Sequence, residues 1–244
     1  MGPPAGSSGA EVIKIIFFDA GGTILEPYPT FAEAFTRICR THGHEVDPAD
    51  VQAAFHSVGP NVAEVAKETG VVNPTVSAED SQTFWRHVYS RLLEALSISD
   101  DELREDLLST FSDKATYKLF PEVLGSFDEL RQLGYRLGLI SNFERWLEEV
   151  LIEEKAGEIF EVKVISGIEG VEKPDPDIYR LAIERAGLQP EECVHVGDSI
   201  ANDLEPAMAV GMKAVMIDRS ASFPESEYPR IVTLTELPAL LRTL

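Results

Sequence analysis

The sequence predicts an α/β fold: a parallel sheet covered by helices on both faces, with an all-helical segment inserted after the first strand. Three observations predict it. The run from Ile13 to Leu25 is mostly apolar until Asp19, which two glycines and a threonine soon follow. A strand buried on both faces reads this way at the centre of a parallel sheet. From Pro121 onward helical and strand patterns alternate at short spacing, as they do where crossover helices join parallel strands. Between these regions only helical periodicity is found.

Residues 1–11 open the chain with Gly, Pro and Ser, lack the basic start and apolar core of an export signal, and read as a flexible lead-in. The first strand follows and belongs to a core of residues 12–25 and 119–244. Phe31, Ala34, Phe35 and Ile38 then recur at helical spacing behind Thr30, an N-cap with Glu33 three residues on. Further helical patterns cover Pro48 to Val58, Asn61 to Glu68, Glu79 to Leu96 and Asp100 to Lys114, with no convincing strand, so residues 26–118 read as a helical cap. Phe84, Trp85 and Tyr89 fall on one helical face and read as its core.

In the second half, strands are expected at Arg136–Ser141, Val162–Ser166, Cys193–Gly197 and Lys213–Ile217, and a closing strand and helix follow. The helices between them cover Gly125–Leu133, Arg145–Lys155, Asp177–Ala186 and about Ala201–Val210. Arg145 and Trp146 read as a helix start with the arginine in solvent. His195, in an apolar strand, reads as a hydrogen-bonded core histidine.

Composition narrows the function. With 44% hydrophobic and 26% charged residues the chain is of soluble globular type, and no apolar stretch is long enough to cross a bilayer. The net charge of -21, from 42 acidic against 21 basic residues, disfavours nucleic acid and anionic membrane surfaces as partners. Two cysteines, Cys39 and Cys193, have neither metal-ligand spacing nor the number for a disulfide framework, so a reducing cytoplasm is expected.

Chemistry concentrates where strands end. Asp19 closes the first strand; Asp-Ala-Gly-Gly-Thr also reads as an ordinary strand-to-turn exit. Ser141-Asn142 closes the second and Gly197-Asp198 the fourth, with Asn202-Asp203 shortly after. Lys173-Pro-Asp-Pro lies between the last two. In a doubly wound sheet the C-terminal strand ends share one crevice, so these groups can meet. Asp19, Asp198 and Asp203 together would repel unless a cation held them, and an all-oxygen set suits Mg²⁺. Lys173 could neutralise the rest and hold an oxyanion.

These four segments, in this order, resemble the motifs of the haloacid dehalogenase-like (HAD) hydrolase superfamily, and within it the domain-containing protein 3 group. The resemblance implies a Rossmann-like core, a cap inserted after the first motif, and Mg²⁺-dependent attack of Asp19 on the phosphorus of a small phosphorylated substrate. It assigns phosphate oxygens to Thr23, Ser141 and groups at Asn142. Lys173 would brace nucleophile and phosphoryl group, and Mg²⁺ would lie among Asp19, the Gly21 carbonyl, Asp198 and Asp203. A monomer or homodimer is expected.

One position departs from the pattern. The phosphatases of that family usually carry a second Asp two places after the nucleophile, as proton carrier, and here that place is Gly21. A positioned acid contributes about 10²–10⁴-fold, so good leaving groups should suffer least from its loss. Other readings are a weakly active or inactive phosphate- and Mg²⁺-binding protein, a metal-free dehalogenase, or a phosphonate hydrolase using Lys67, Lys114 or Lys118 from the cap.

Overall fold

A computed structural model describes residues 13–58 and 62–244. The lead-in expected over residues 1–11 and the helix start at Asn61 lie outside the described residues. Strand β1 (Ile15–Phe18) is central, flanked by β4 (Arg136–Ser141) and β6 (Cys193–Gly197), both parallel to it. Beyond them lie β5 (Val162–Ile165) on one side and β7 (Lys213–Ile217) and β8 (Arg230–Ile231) on the other, giving the order β5-β4-β1-β6-β7-β8.

The sequence of β1 explains its place. Ile16 and Phe18 point into an apolar cluster with Val123, Phe127 and Leu130 of α6 (Val123–Gln132), Leu147, Val150 and Leu151 of α7 (Leu147–Glu153), and Leu237 of α11 (Leu237–Leu240). Ile15 and Phe17 point the other way, toward Ile178, Tyr179 and Ala182 of α9 (Pro176–Ala186) and Ala207 of α10 (Glu205–Ala209). Period-two alternation thus feeds two apolar layers, which is why the strand reads as continuous hydrophobe. Gly138 has no room for a side chain, because a Cβ there would sit 2.4 Å from the Phe17 ring. The short α8 (Ser166–Glu169) follows β5 directly.

Between β1 and β4 run α1 (Phe31–Thr41), α2 (Pro48–Val58), α3 (Val62–Thr69), α4 (Ala78–Ala95) and α5 (Asp101–Phe111). They build an apolar cluster of their own around Phe35, Val51, Phe84, Val88, Leu92, Leu103 and Leu107. The Thr30 hydroxyl caps α1 by accepting from the Glu33 N–H at 3.2 Å, and it donates to the Glu33 carboxylate at 3.0 Å. The expectation that residues 26–118 hold no strand is corrected. Strand β2 (Leu25–Pro27) pairs antiparallel with β3 (Tyr117–Leu119), forming a two-stranded ribbon at the base of the helices. Three-residue strands are too short to show alternation, and their partners lie far apart in sequence. No helix among the described residues is long and apolar enough to cross a membrane.

Candidate active site

Asp19 leaves β1 with its N–H bonded to the Val196 carbonyl at 2.9 Å, which fixes it at the seam between β1 and β6. Its Oδ1 accepts from Ser141 Oγ at 3.0 Å and from Lys173 Nζ at 2.7 Å. The Lys173 ammonium also donates to Asp203 Oδ1 at 2.5 Å. Asp203 lies in one π-helical turn (Ile200–Leu204) after β6, where its carboxylate further accepts from the Ser199 N–H at 3.0 Å and His195 Nε2 at 2.9 Å. His195 is therefore the bonded core histidine that the sequence suggests, holding Asp203 from beneath. Oxygens of Asp19, Asp198 and Asp203 all lie within 4.8 Å of one another.

Electrostatics follow from this crowding. Burial pushes the Asp19 carboxyl above its usual range, and Asp203 adds to that while Lys173 opposes it. Burial acts likewise on Asp203, but the Lys173 ammonium and the His195 hydrogen bond outweigh it and hold Asp203 well below the usual carboxylate range. Lys173 is buried too, yet its two carboxylate partners keep it firmly protonated. Asp198 opens onto the crevice, but protein atoms crowd round its carboxyl. This desolvation, with Asp203 and Asp19 nearby, pushes it well above the usual range. Three carboxylates share one ammonium, so the set is short of positive charge. Its all-oxygen donors fit a hard divalent cation. Gly22 serves this packing: its φ of +71° suits glycine, and a Cβ would lie 2.4 Å from Asp198 Oδ2.

The expected residues are not all placed alike. Asp19, Gly21, Asn142, Lys173, Asp198 and Asp203 line one cavity of about 600 Å³ between the sheet and the helices. Ser141 is buried beneath it, on Asp19. The Asn142 side chain is committed to the Lys173 backbone, donating to its carbonyl and accepting from its N–H, both at 2.7 Å. Thr23 is fully buried off the cavity wall, its hydroxyl without a partner among the described residues. Arg145 is exposed as expected, but Trp146 turns into the cavity, and so does Trp85.

Sequence reasoning missed Thr75, Glu172 and Glu144. The Thr75 hydroxyl, before α4, donates to Glu172 Oε2 at 2.5 Å, and its N–H donates to the same oxygen at 3.1 Å. The Ser81 hydroxyl of α4 bonds Glu144. These contacts fasten the helices to the sheet beside Lys173. No motif or periodicity signals them, because each pairs a lone polar residue with one distant in sequence.

The sequence profile of the haloacid dehalogenase-like hydrolases matches residues 13–211. Haloacid dehalogenase-like hydrolase domain-containing protein 3 of Homo sapiens is 27% identical over 209 residues, covering 84% of this chain and 82% of that protein. A phosphoserine phosphatase of Thermus thermophilus is 27% identical over 222 residues, covering 85% and 89%. Among solved structures, the Bacillus subtilis HAD-hydrolase YfnB bound to magnesium superposes with a TM-score of 0.68 at 17% identity, covering 95% of this chain and 99% of that one. With its strand-end carboxylates, its buried lysine and this match over most of its length, the chain belongs to the haloacid dehalogenase-like hydrolase family.

Proposed function

We propose that the chain is a Mg²⁺-dependent phosphatase, a phosphoric monoester hydrolase that cleaves a small phosphorylated metabolite through an aspartyl-phosphate on Asp19. The observation that carries this reading is the setting of Asp19: one carboxylate oxygen is tied to Ser141 and Lys173. The phosphatase name of the Thermus relative and the magnesium in the YfnB structure support it.

In the first step the Asp19 oxygen not bound by Ser141 and Lys173 attacks phosphorus, and the bond to the leaving oxygen breaks with its electron pair going to that oxygen. In the second, water attacks phosphorus, the bond to Asp19 breaks, the carboxylate is restored and the water's proton passes to solvent. Lys173 fixes the nucleophile and would face the phosphoryl oxygens, and the Asn142 backbone N–H would add a donor. Asp19, Asp198, Asp203 and the Gly21 carbonyl would hold Mg²⁺, which when bound supplies the positive charge that the carboxylates and phosphoryl oxygens lack. Residues 26–118 would act as a cap and the β2–β3 ribbon as its hinge, excluding water for transfer and admitting it afterward. The site comes from one chain, so a monomer or homodimer in the cytoplasm would serve.

The weakly active binding protein is the second reading, favoured by Gly21, which offers no side chain to protonate the leaving group. Metal-free dehalogenation has no use for a Mg²⁺ site, and the crowded Asp19, Asp198 and Asp203 carboxylates weigh against it. Phosphonate cleavage lacks its amine: Lys114 and Lys118 pair with Glu149 and Glu154, Lys67 is exposed, and none of the three lines the cavity. The deciding assay is Mg²⁺-dependent phosphate release from 4-nitrophenyl phosphate, a monoester, and from acetyl phosphate, by wild type and Asp19→Asn. The phosphatase reading expects release that the substitution abolishes; release that survives it refutes the reading.

A further inference from the structure

The cavity is acidic at its floor and aromatic above. Phe31, Phe55 and Trp85 contribute one wall from the helices, and Tyr117, Phe143 and Trp146 the other from the sheet side. All six rings keep part of their surface open, unlike Phe17, Phe18 and Phe127 in the core. Rings pack within each wall: Phe31 and Phe55 lie 4.8 Å apart between centroids, Trp85 connects to Phe31 through Tyr89 and Phe111, and Phe143 stands edge-on to Trp146 at 4.8 Å. The Phe143 backbone is pinned, its N–H donating to Ser166 Oγ at 2.9 Å and its carbonyl accepting from the Gly167 N–H at 3.0 Å.

Charge in the cavity has one sign. Among the described residues lining it, Lys173 is the one lysine or arginine, and Asp19 and Asp203 hold it. Besides Tyr89 and Tyr117, the ionisable lining groups away from the strand-end carboxylates and Lys173 are Glu26, Glu144 and His56. A substrate with a carboxylate or second phosphate would meet two glutamates, with His56 as the one group there able to oppose them, an arrangement that disfavours it. Beside the nucleophile, Gly21 offers no proton carrier, and the atom nearest to where its Cβ would stand is Phe143 Cε2, at 4.0 Å. An aromatic ring thus borders the space next to the leaving oxygen.

We propose that the substrate is an aryl phosphate monoester with no second negative charge, its ring held between the two aromatic walls, with Trp85 and Phe143 setting the preference. The proposal rests on the phosphatase reading and narrows it. An aryloxide departs with the P–O electron pair and takes its proton from solvent afterward, so the missing acid matters little to it. An aromatic ring packed against the faces and edges of these rings supplies the selectivity.

The test compares kcat/KM of the full chain with Mg²⁺ for 1-naphthyl phosphate, acetyl phosphate, phosphoserine and phosphocholine. Acetyl phosphate has a good leaving group but no ring, so it separates leaving-group ease from recognition. The expected result is 1-naphthyl phosphate favoured over acetyl phosphate by about ten-fold or more, with phosphoserine poorest. Trp85→Ala and Phe143→Ala should cut that ratio about ten-fold through KM, and Trp85→Phe should restore most of it. Acetyl phosphate turned over as well as the naphthyl ester, or a ratio unmoved by both alanine variants, overturns the aryl assignment and leaves the phosphatase reading standing. Preference for phosphocholine overturns it in favour of a cation on the rings. If none of the four compounds is hydrolysed, the phosphatase reading fails. Calorimetry on wild type then decides the ligand class: 1-naphthyl phosphate binding about ten-fold more tightly than inorganic phosphate supports it, and equal binding refutes it.

Discussion

Lys173 Nζ lies 2.7 Å from Asp19 Oδ1, and the same ammonium reaches Asp203 Oδ1 at 2.5 Å, so one side chain ties the end of β1 to the turn after β6. Both contacts are buried. Lys173→Met would leave two buried carboxylates facing each other beside Asp198. Breaking a buried pair from one side costs about 3–5 kcal/mol. Urea denaturation should show a loss of that order, with phosphate release abolished even where the variant is fully folded.

Gly21 and Gly22 are adjacent and opposite in tolerance. A Cβ at Gly21 has ordinary van der Waals space, whereas one at Gly22 would run into Asp198 at a positive φ. Gly21→Asp should therefore fold normally and supply the missing acid. Turnover of alkyl phosphates should rise by about 10²-fold or more, with little gain for acetyl phosphate. Steady-state kinetics on both substrates check this.

Glu172 accepts two bonds from Thr75, yet burial still pushes its carboxyl above the usual range. A carboxyl raised on folding contributes stability that is full below its unfolded pKa and is lost as pH rises through its folded value. Melting temperatures measured upward from about pH 4 should fall more for wild type than for Glu172→Gln. Thr75→Val, which strips a bond from the buried carboxylate, should cost about 1–3 kcal/mol, or several degrees of melting temperature.

What the sequence reveals of this site is what the parallel sheet dictates. Asp19, Ser141 and Asp198 each end a strand, and strands read from apolar runs bring their ends together without further information. Lys173 and Asp203 follow from motif order. The aromatic walls were hidden, because helical periodicity tells that Trp85 faces inward but not whether it meets protein or cavity. That depends on how α1–α5 fold back over the sheet, where the contacts, such as Thr75 to Glu172, join residues distant in sequence. Asn142 shows the same limit: its amide could bind phosphate, and only the structure reveals it clamping the Lys173 backbone.

The central claim, nucleophilic catalysis by Asp19, is tested most directly by trapping the intermediate. Wild-type protein turning over acetyl phosphate with Mg²⁺ is quenched in acid, digested and examined by mass spectrometry. The account predicts a phosphoryl adduct on the peptide containing Asp19, absent from Asp19→Asn. Steady phosphate release with no adduct on that peptide at any quench time, and undiminished in Asp19→Asn, would contradict it.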